Sequence, residues 1–191
     1  MPASTPARVL TVEDDPVVRA DLRLILEDNG FDVCAAARDG VEAIEFAREH
    51  RPDLILIDLH LPELDGVEAT RRIMGERDVP IVALTGYVGG DSIERAVAAG
   101  AVDHVTKPFS EAGLLATLRD VLATRRLDQE REVEHDRIRT VIEAMQRENR
   151  SEVEILAVVR SMTGEQAHLE RLSAARRSVV ARLRAVFSRW S

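Results

Sequence analysis

Lysine is all but missing from this chain: among 191 residues there are 25 arginines and one lysine, Lys107. Where a cation is wanted the sequence supplies Arg, so the exception marks a site that needs a compact, mobile ammonium in place of a planar fork. Cysteine also occurs once, as Cys34 within an apolar stretch, which excludes an internal disulfide. The N-terminus lacks a basic flank followed by an apolar core, the mark of an export signal, and a reducing cytoplasm is the expected compartment. No uninterrupted apolar run approaches the roughly 20 residues that a membrane-spanning helix needs, so no membrane partner is expected.

Charge is unevenly divided. Residues 1–123 hold 23 Asp and Glu against 12 Lys and Arg, whereas residues 124–191 hold 11 against 14. An acidic front repels phosphates and argues against nucleic-acid binding there, while the mildly basic tail leaves that question open. The length allows one domain of ordinary size with a smaller appendage.

What is present is a repeat. Short β-branched runs at Arg8–Val12, Phe31–Ala37, Asp53–Ile57, Pro80–Leu84 and Val102–Val105 alternate with helix-period segments. Five such βα units predict an α/β domain with a parallel sheet covered by helices on both faces, because parallel strands need crossover connections. The third run, LILID, is nearly all apolar, as a central strand must be, and it ends in Asp58. A charge there is not core filling: ligands of open α/β sheets bind beyond the carboxyl ends of the strands.

Glu13 and Asp14 follow the first run, Thr85 the fourth and Lys107 the fifth, so all point to that same edge. Carboxylates gathered there repel one another unless a hard divalent cation sits among them, and oxygen ligands without a His/Cys set favour Mg²⁺ over Zn²⁺. Phosphoryl transfer to a carboxylate needs an exposed nucleophile, a metal to spread charge and donors for the remaining oxygens. Asp58 is the candidate nucleophile. Asp14, with Glu13 acting through water, is the candidate metal site, and Lys107 and the Thr85 hydroxyl are candidate ligands of phosphoryl oxygens. Any one acid is explained by a helix N-terminus; the five residues together are not.

The motifs VEDDP, LILIDLHLPELDG, VALTG and VTKPF, in this order and spacing across residues 8–123, resemble the receiver domain of two-component response regulators. The resemblance implies a doubly wound, flavodoxin-like domain over residues 1–123 with a five-stranded parallel sheet in the order 2-1-3-4-5. It implies Glu13 and Asp14 as the acidic pair and Asp58 as the phospho-acceptor. The backbone carbonyl of His60 would complete the Mg²⁺ shell, Thr85 would supply the hydroxyl that moves toward the phosphoryl group, and Lys107 its ammonium partner. Asp15 falls one place beyond the acidic pair, near the first helix's N-terminus. Pro62 and Asp65-Gly66 match the loop after the acceptor, and Lys107-Pro108 matches a bond that is cis in the family. His104 stands where the family carries an aromatic switch residue, so a smaller, titratable ring is expected to weaken that coupling or make it pH-dependent. His60 and Tyr87, each two places beyond a site residue, are expected to bear on the lifetime of the phosphate.

After Gly113 no strand signal remains, and LLATLRDVL reads as the last helix of the first domain, with no evident stop. Residues 123–148 lack Gly and Pro and place Leu127, Ile138, Val141, Ile142 and Met145 at broken heptad-like spacing, the pattern of a helical extension or coiled coil. Asn149-Arg150 interrupts it. Ser151 and Glu154 then form a capping box that opens a helix through Met162, and Thr163 with Gln166 repeats the device around Gly164. A final stripe of Leu169, Leu172, Val179, Leu183, Val186 and Trp190 must be covered by the preceding helices or by a second chain. Residues 124–191 therefore read as an all-α output or dimerisation region. No helix-turn-helix or winged-helix pattern stands out, and the arginines of the last segment fit a solvated face better than a nucleic-acid or membrane contact. His135 in EVEHDRIRT faintly resembles the phospho-accepting hairpin of sensor kinases, although its Thr falls one position late and no glycine-rich ATP-binding domain follows.

The expected protein is a cytoplasmic response regulator, a switch and not an enzyme. A sensor histidine kinase or phosphotransfer protein would phosphorylate Asp58, and the helical region would form a homodimer or bind a protein partner. Three alternatives stay open: a nucleic-acid-binding output, a kinase-like phosphotransfer or phosphatase hairpin, and a metal-dependent hydrolase on this fold.

Overall fold

The computed structural model of the chain describes residues 5–86 and 90–163. Tyr87, Gly164, Gln166 and the apolar stripe from Leu169 to Trp190 lie outside the described residues. The chain divides into two units, Met1–Leu127 and Asp128–Ser191. Its elements, in order, are β1 (Arg8–Val12), α1 (Pro16–Asp28), β2 (Asp32–Ala37), α2 (Gly40–His50), β3 (Leu54–Asp58), α3 (Gly66–Glu76), β4 (Ile81–Thr85), α4 (Gly90–Ala99), β5 (Asp103–Thr106), α5 (Glu111–Arg147) and α6 (Glu152–Met162). Every strand pairing is parallel, and the order across the sheet is β2-β1-β3-β4-β5. This is the doubly wound, flavodoxin-like receiver topology.

The apolar side chains divide by strand parity. Leu54 and Leu56 of β3 join Val9, Val82, Leu84 and Val105 in a layer closed by α1 and α5 through Leu22, Leu26, Leu114 and Leu118. Ile55 and Ile57 join Leu10 and Val12 in a second layer, closed by α2 and α3 through Ile44 and Ile73. All five residues of β3 are buried, which is why its sequence reads as a continuous apolar run instead of an alternation. Each large aliphatic side chain so buried contributes about 1.5–3 kcal/mol relative to exposure.

The same parity carries the polar residues past the layer. Val9, Thr11 and Glu13 fall on one side, as do Leu54, Leu56 and Asp58, and Val105 and Lys107. Strands β3 and β4 run one residue further than the sequence reading had them, because Asp58 pairs with Leu84 and Thr85 with Thr106 in the ladder. Both residues are therefore the last of their strands, held by the sheet, and not the first of a loop. Lys107 stands one residue past β5, its backbone N–H donating to the Thr85 carbonyl at 2.7 Å.

Three aspartates start helices at this end of the first unit. Asp15 accepts from Val17 and Val18, Asp39 from Val41 and Glu42, and Asp65 from Glu68, satisfying donors that the first helical turn leaves orphaned. Asp15 is thus a cap, as its place one beyond the acidic pair implied. The Lys107-Pro108 peptide bond is cis.

Helix α5 runs unbroken for 37 residues, so the last sheet-covering helix and the predicted extension are one element. In the second unit Ile138, Val141, Ile142 and Met145 are half-buried and Val133 is exposed. Asn149 at φ 57° ends the helix, and Ser151 with Glu154 forms the reciprocal capping box that opens α6. The Thr163 hydroxyl donates back to the Val159 carbonyl at 3.1 Å, at the C-terminal end of α6, and the helix start expected after it lies outside the described residues. Among the described residues no helix is long and apolar enough to cross a membrane.

Candidate functional site

At the carboxyl edge of the sheet the structure brings together Glu13, Asp14, Asp58 and Lys107. The three carboxylates each offer an oxygen within 4.8 Å of the others; Glu13 and Asp58 are buried and Asp14 is exposed. The Lys107 Nζ lies 2.5 Å from Glu13 Oε2 and 2.5 Å from Asp58 Oδ2, and so bridges two acids contributed by β3 and the end of β1. The other Asp58 oxygen, Oδ1, accepts from the His60 backbone N–H at 2.9 Å. Glu13 Oε1 faces the backbone N–H of Asp15 at 3.4 Å.

Burial and charge oppose each other here. Burial pushes the Glu13 carboxyl above the ordinary carboxylate range, and the hydrogen bond and charge of Lys107 only partly offset it. For Lys107, burial pulls the ammonium down, but its bonds to Asp58 and Glu13 together outweigh that and leave it above the ordinary lysine value. Both effects favour a retained proton, so the ammonium is held as a cation between the acids.

The Thr85 hydroxyl, at the end of the neighbouring strand, is buried, and its Oγ1 has no hydrogen-bond partner. A buried hydroxyl left unpaired carries a desolvation cost, which a further acceptor at this edge would relieve. The structure does not bring His104 into this cluster: it lies in β5 opposite Ala83, its ring exposed and 3.9 Å from the Asp103 carboxylate. His135 is exposed on α5.

Two supports stand behind the cluster, of which sequence reading missed Arg19 and placed Gly66 in the loop after the acceptor without its role. Arg19 donates from Nη1 to the carbonyls of Glu13 and Asp14, at 2.6 and 3.1 Å, and so braces the acidic turn from the first turn of α1. Its place five residues after Asp14, in a helix capped by Asp15, was the available signal. The second is Gly66, where a Cβ would lie 2.0 Å from the Asp58 carbonyl oxygen. Only a residue without a side chain lets the chain pass this close behind the strand that carries Asp58.

The donor set fits a hard divalent cation. It is all oxygen and strongly acidic, one carboxylate is open to solvent, and among the described residues this is the one His/Cys/Asp/Glu cluster able to hold an ion. Asp14 is the solvent-exposed candidate ligand and Asp58 the buried one beside it.

A five-stranded, doubly wound domain of order 2-1-3-4-5 with an acid cluster and a lysine at the carboxyl edge is the architecture of a receiver domain. Residues 9–119 match the response regulator receiver domain, and the chain belongs to that family. It is 40% identical over 116 residues to the transcriptional regulatory protein PdtaR of Mycobacterium tuberculosis, covering 61% of this chain and 57% of that protein. It is 46% identical over 114 residues to the transcriptional regulatory protein CseB of Streptomyces coelicolor, covering 60% and 48%. The match thus spans about half the length of these relatives. Among solved structures, the response regulator domain of Thermotoga maritima CheB aligns with a TM-score of 0.58 at 32% identity, covering 62% of this chain and 97% of that one. The receiver domain of a Pseudomonas aeruginosa sensor histidine kinase, whose active-site cleft coordinates a magnesium ion, aligns at 0.57 and 35% identity, covering 62% and 98%.

Proposed function

We propose that this receiver is phosphorylated on Asp58 in a Mg²⁺-dependent reaction and passes the change to its C-terminal helices. The observation that carries the reading is the Lys107 ammonium 2.5 Å from Asp58 Oδ2, within a cluster of three carboxylates. Asp58 Oδ2 is the attacking oxygen, and Lys107 neutralises charge on the acceptor before transfer and on the phosphoryl oxygens after it. Asp14, Asp58 and the His60 carbonyl would hold the ion, which when bound spreads charge from the transferring oxygens. The unpaired Thr85 hydroxyl is a donor available to one phosphoryl oxygen. His104 is a weaker candidate for the switch residue, being exposed and paired with neither Thr85 nor Lys107.

The donor would be a sensor histidine kinase or a phosphotransfer protein, and the chain would act as a switch without turnover of an external substrate. The output would be a helical region that dimerises or binds a protein partner, the apolar residues of α5 beyond Leu127 supporting this reading. A second reading, a nucleic-acid-binding output, draws on the names of PdtaR and CseB as transcriptional regulatory proteins. Those matches cover about 60% of this chain. The test is treatment of the full chain with a small phosphodonor with and without Mg²⁺, followed by intact mass and molecular size. A one-phosphate adduct that needs Mg²⁺ and disappears in Asp58→Asn is expected; an adduct surviving in Asp58→Asn refutes the assignment. Salt-dependent binding to DNA by the phosphorylated chain, without a change of size, would favour the second output over the first.

A further inference from the structure

We infer that a cavity at the amino edge of the sheet binds a small organic anion with a planar ring, of the size and chemistry of a nucleoside monophosphate. It lies at the opposite end of the strands from Asp58 and does not depend on the phospho-acceptor reading.

The cavity measures about 630 Å³, within the range of small-ligand sites, and it belongs entirely to the first unit. The segment ahead of β1, the turn between α1 and β2, and α5 wall it. From α5 come Arg119, Leu122, Ala123 and Arg126, spaced i, i+3, i+4 and i+7, so they share one face of that helix. The two arginines therefore stand about 10 Å apart along the axis, with the half-buried Leu122 between them. Half-buried Phe31 lines the same cavity, beside Gly30. At φ 84° Gly30 holds a conformation that favours glycine, so this part of the rim carries no side chain and leaves room for a flat ring.

Charge singles the cavity out. The first 123 residues hold 23 acidic side chains against 12 basic ones, yet no carboxylate lines this cavity and two guanidiniums do. The acids that precede or open the neighbouring strands are engaged by Arg8 and Arg125. Asp32 lies 3.6 Å from Arg8 Nε, Asp53 accepts from the Arg8 backbone N–H at 2.8 Å, and Asp78 is 2.5 Å from Arg125 Nη2. Arg119 and Arg126 make no hydrogen bond or ion pair among the described residues. A guanidinium is planar and weakly hydrated; it grips a phosphate with paired N–H donors and stacks on a ring face. A ligand that spans the cavity uses both properties, its phosphate on one guanidinium and its ring against Phe31 or the other. Inorganic phosphate would leave the apolar wall unused, and a wholly apolar molecule would leave the arginines unused.

The test is calorimetry on the full chain with adenosine monophosphate as the probe, in chelator so that no metal draws the phosphate to the carboxyl edge. Saturable binding is expected, weakened by at least about tenfold in Arg119→Gln and in Arg126→Gln, the scale of one charge-assisted hydrogen bond. Both side chains are exposed, so these variants should fold as wild type does, which circular dichroism checks. Ribose 5-phosphate, which lacks the ring, and adenosine, which lacks the phosphate, should each bind at least about tenfold more weakly than the nucleotide. Arg125→Gln removes an equal charge one residue away, outside the lining, and Asp58→Asn alters the carboxyl edge; both should keep wild-type affinity. Absence of saturable binding overturns the inference. So does an Arg125→Gln variant as weak as Arg126→Gln, which would mean general attraction to positive charge, and so does inorganic phosphate binding as tightly as the nucleotide. Loss of binding in Asp58→Asn would move the ligand to the acid cluster and overturn it equally.

Discussion

At the scale of single residues, the arrangement around Lys107 decides what the acid cluster costs. Two carboxylates with almost no access to water are tolerable together because one ammonium touches both. Lys107→Ala leaves them facing each other, and in a chelator the variant is expected to lose about 2 kcal/mol of unfolding free energy in urea. That is less than the loss for a fully enclosed pair, because Lys107 retains 22% of its side-chain exposure. Added Mg²⁺ should restore part of the loss. The pH dependence has a defined sign: the folded-state value of Lys107 lies above 10.5, so its contribution is complete below pH 10.5 and disappears as pH rises through the folded value. Wild type and Lys107→Ala should therefore converge in stability above that pH, and curves that stay parallel there would contradict the pairing.

At the scale of elements, the site depends on where strands stop and helices start. Residue-by-residue parity delivers Glu13, Asp58 and Lys107 to one side, and the aspartate caps then turn the chain sharply away from the edge, leaving it open. The tightest of these turns is at Gly66. Gly66→Ala sets a methyl group 2.0 Å from the Asp58 carbonyl, which no side-chain rotation relieves. The variant is expected to lose about 1–3 kcal/mol and to show a lower rate of phosphodonor labelling, because the strand carrying Asp58 must shift; unchanged stability and labelling would refute the close approach. In the second unit, Ser151 and Glu154 close α6 by exchanging hydrogen bonds. Ser151→Ala removes one orphan donor's partner and should cost about 1 kcal/mol locally, seen as faster amide exchange at Glu154 and Ile155 with the sheet amides unchanged.

For the whole molecule, a metal that binds the folded pocket and not the unfolded chain must stabilise the fold. At a free concentration about 100 times its Kd, Mg²⁺ should add about 2.7 kcal/mol to the unfolding free energy of the first unit. Asp14→Asn should show much less of this increment while matching wild type in chelator. An equal increment in both proteins would remove Asp14 from the site. The response of the second unit is a separate measurement.

The five strands, the direction of the sheet and the acids at its edge were legible along the chain because they follow from local rules. Parallel strands covered on both faces read as short apolar runs, and a charge closing such a run has nowhere to sit but the edge. Two helix starts were legible too, Asp15 at α1 and the Ser151–Glu154 box at α6. The burial and ion pairing inside the cluster were not. Along the chain Glu13 and Asp14 are neighbours of equal charge; only the folded pocket buries one beside Lys107, 94 residues away, and leaves the other in water. Arg19 and Gly66 acquired their roles in the same way. Periodicity and capping act over a few residues and survive in a string of letters, whereas desolvation and ion pairing depend on which distant groups are neighbours, and the packing of β1, β3 and β5 is what makes them so.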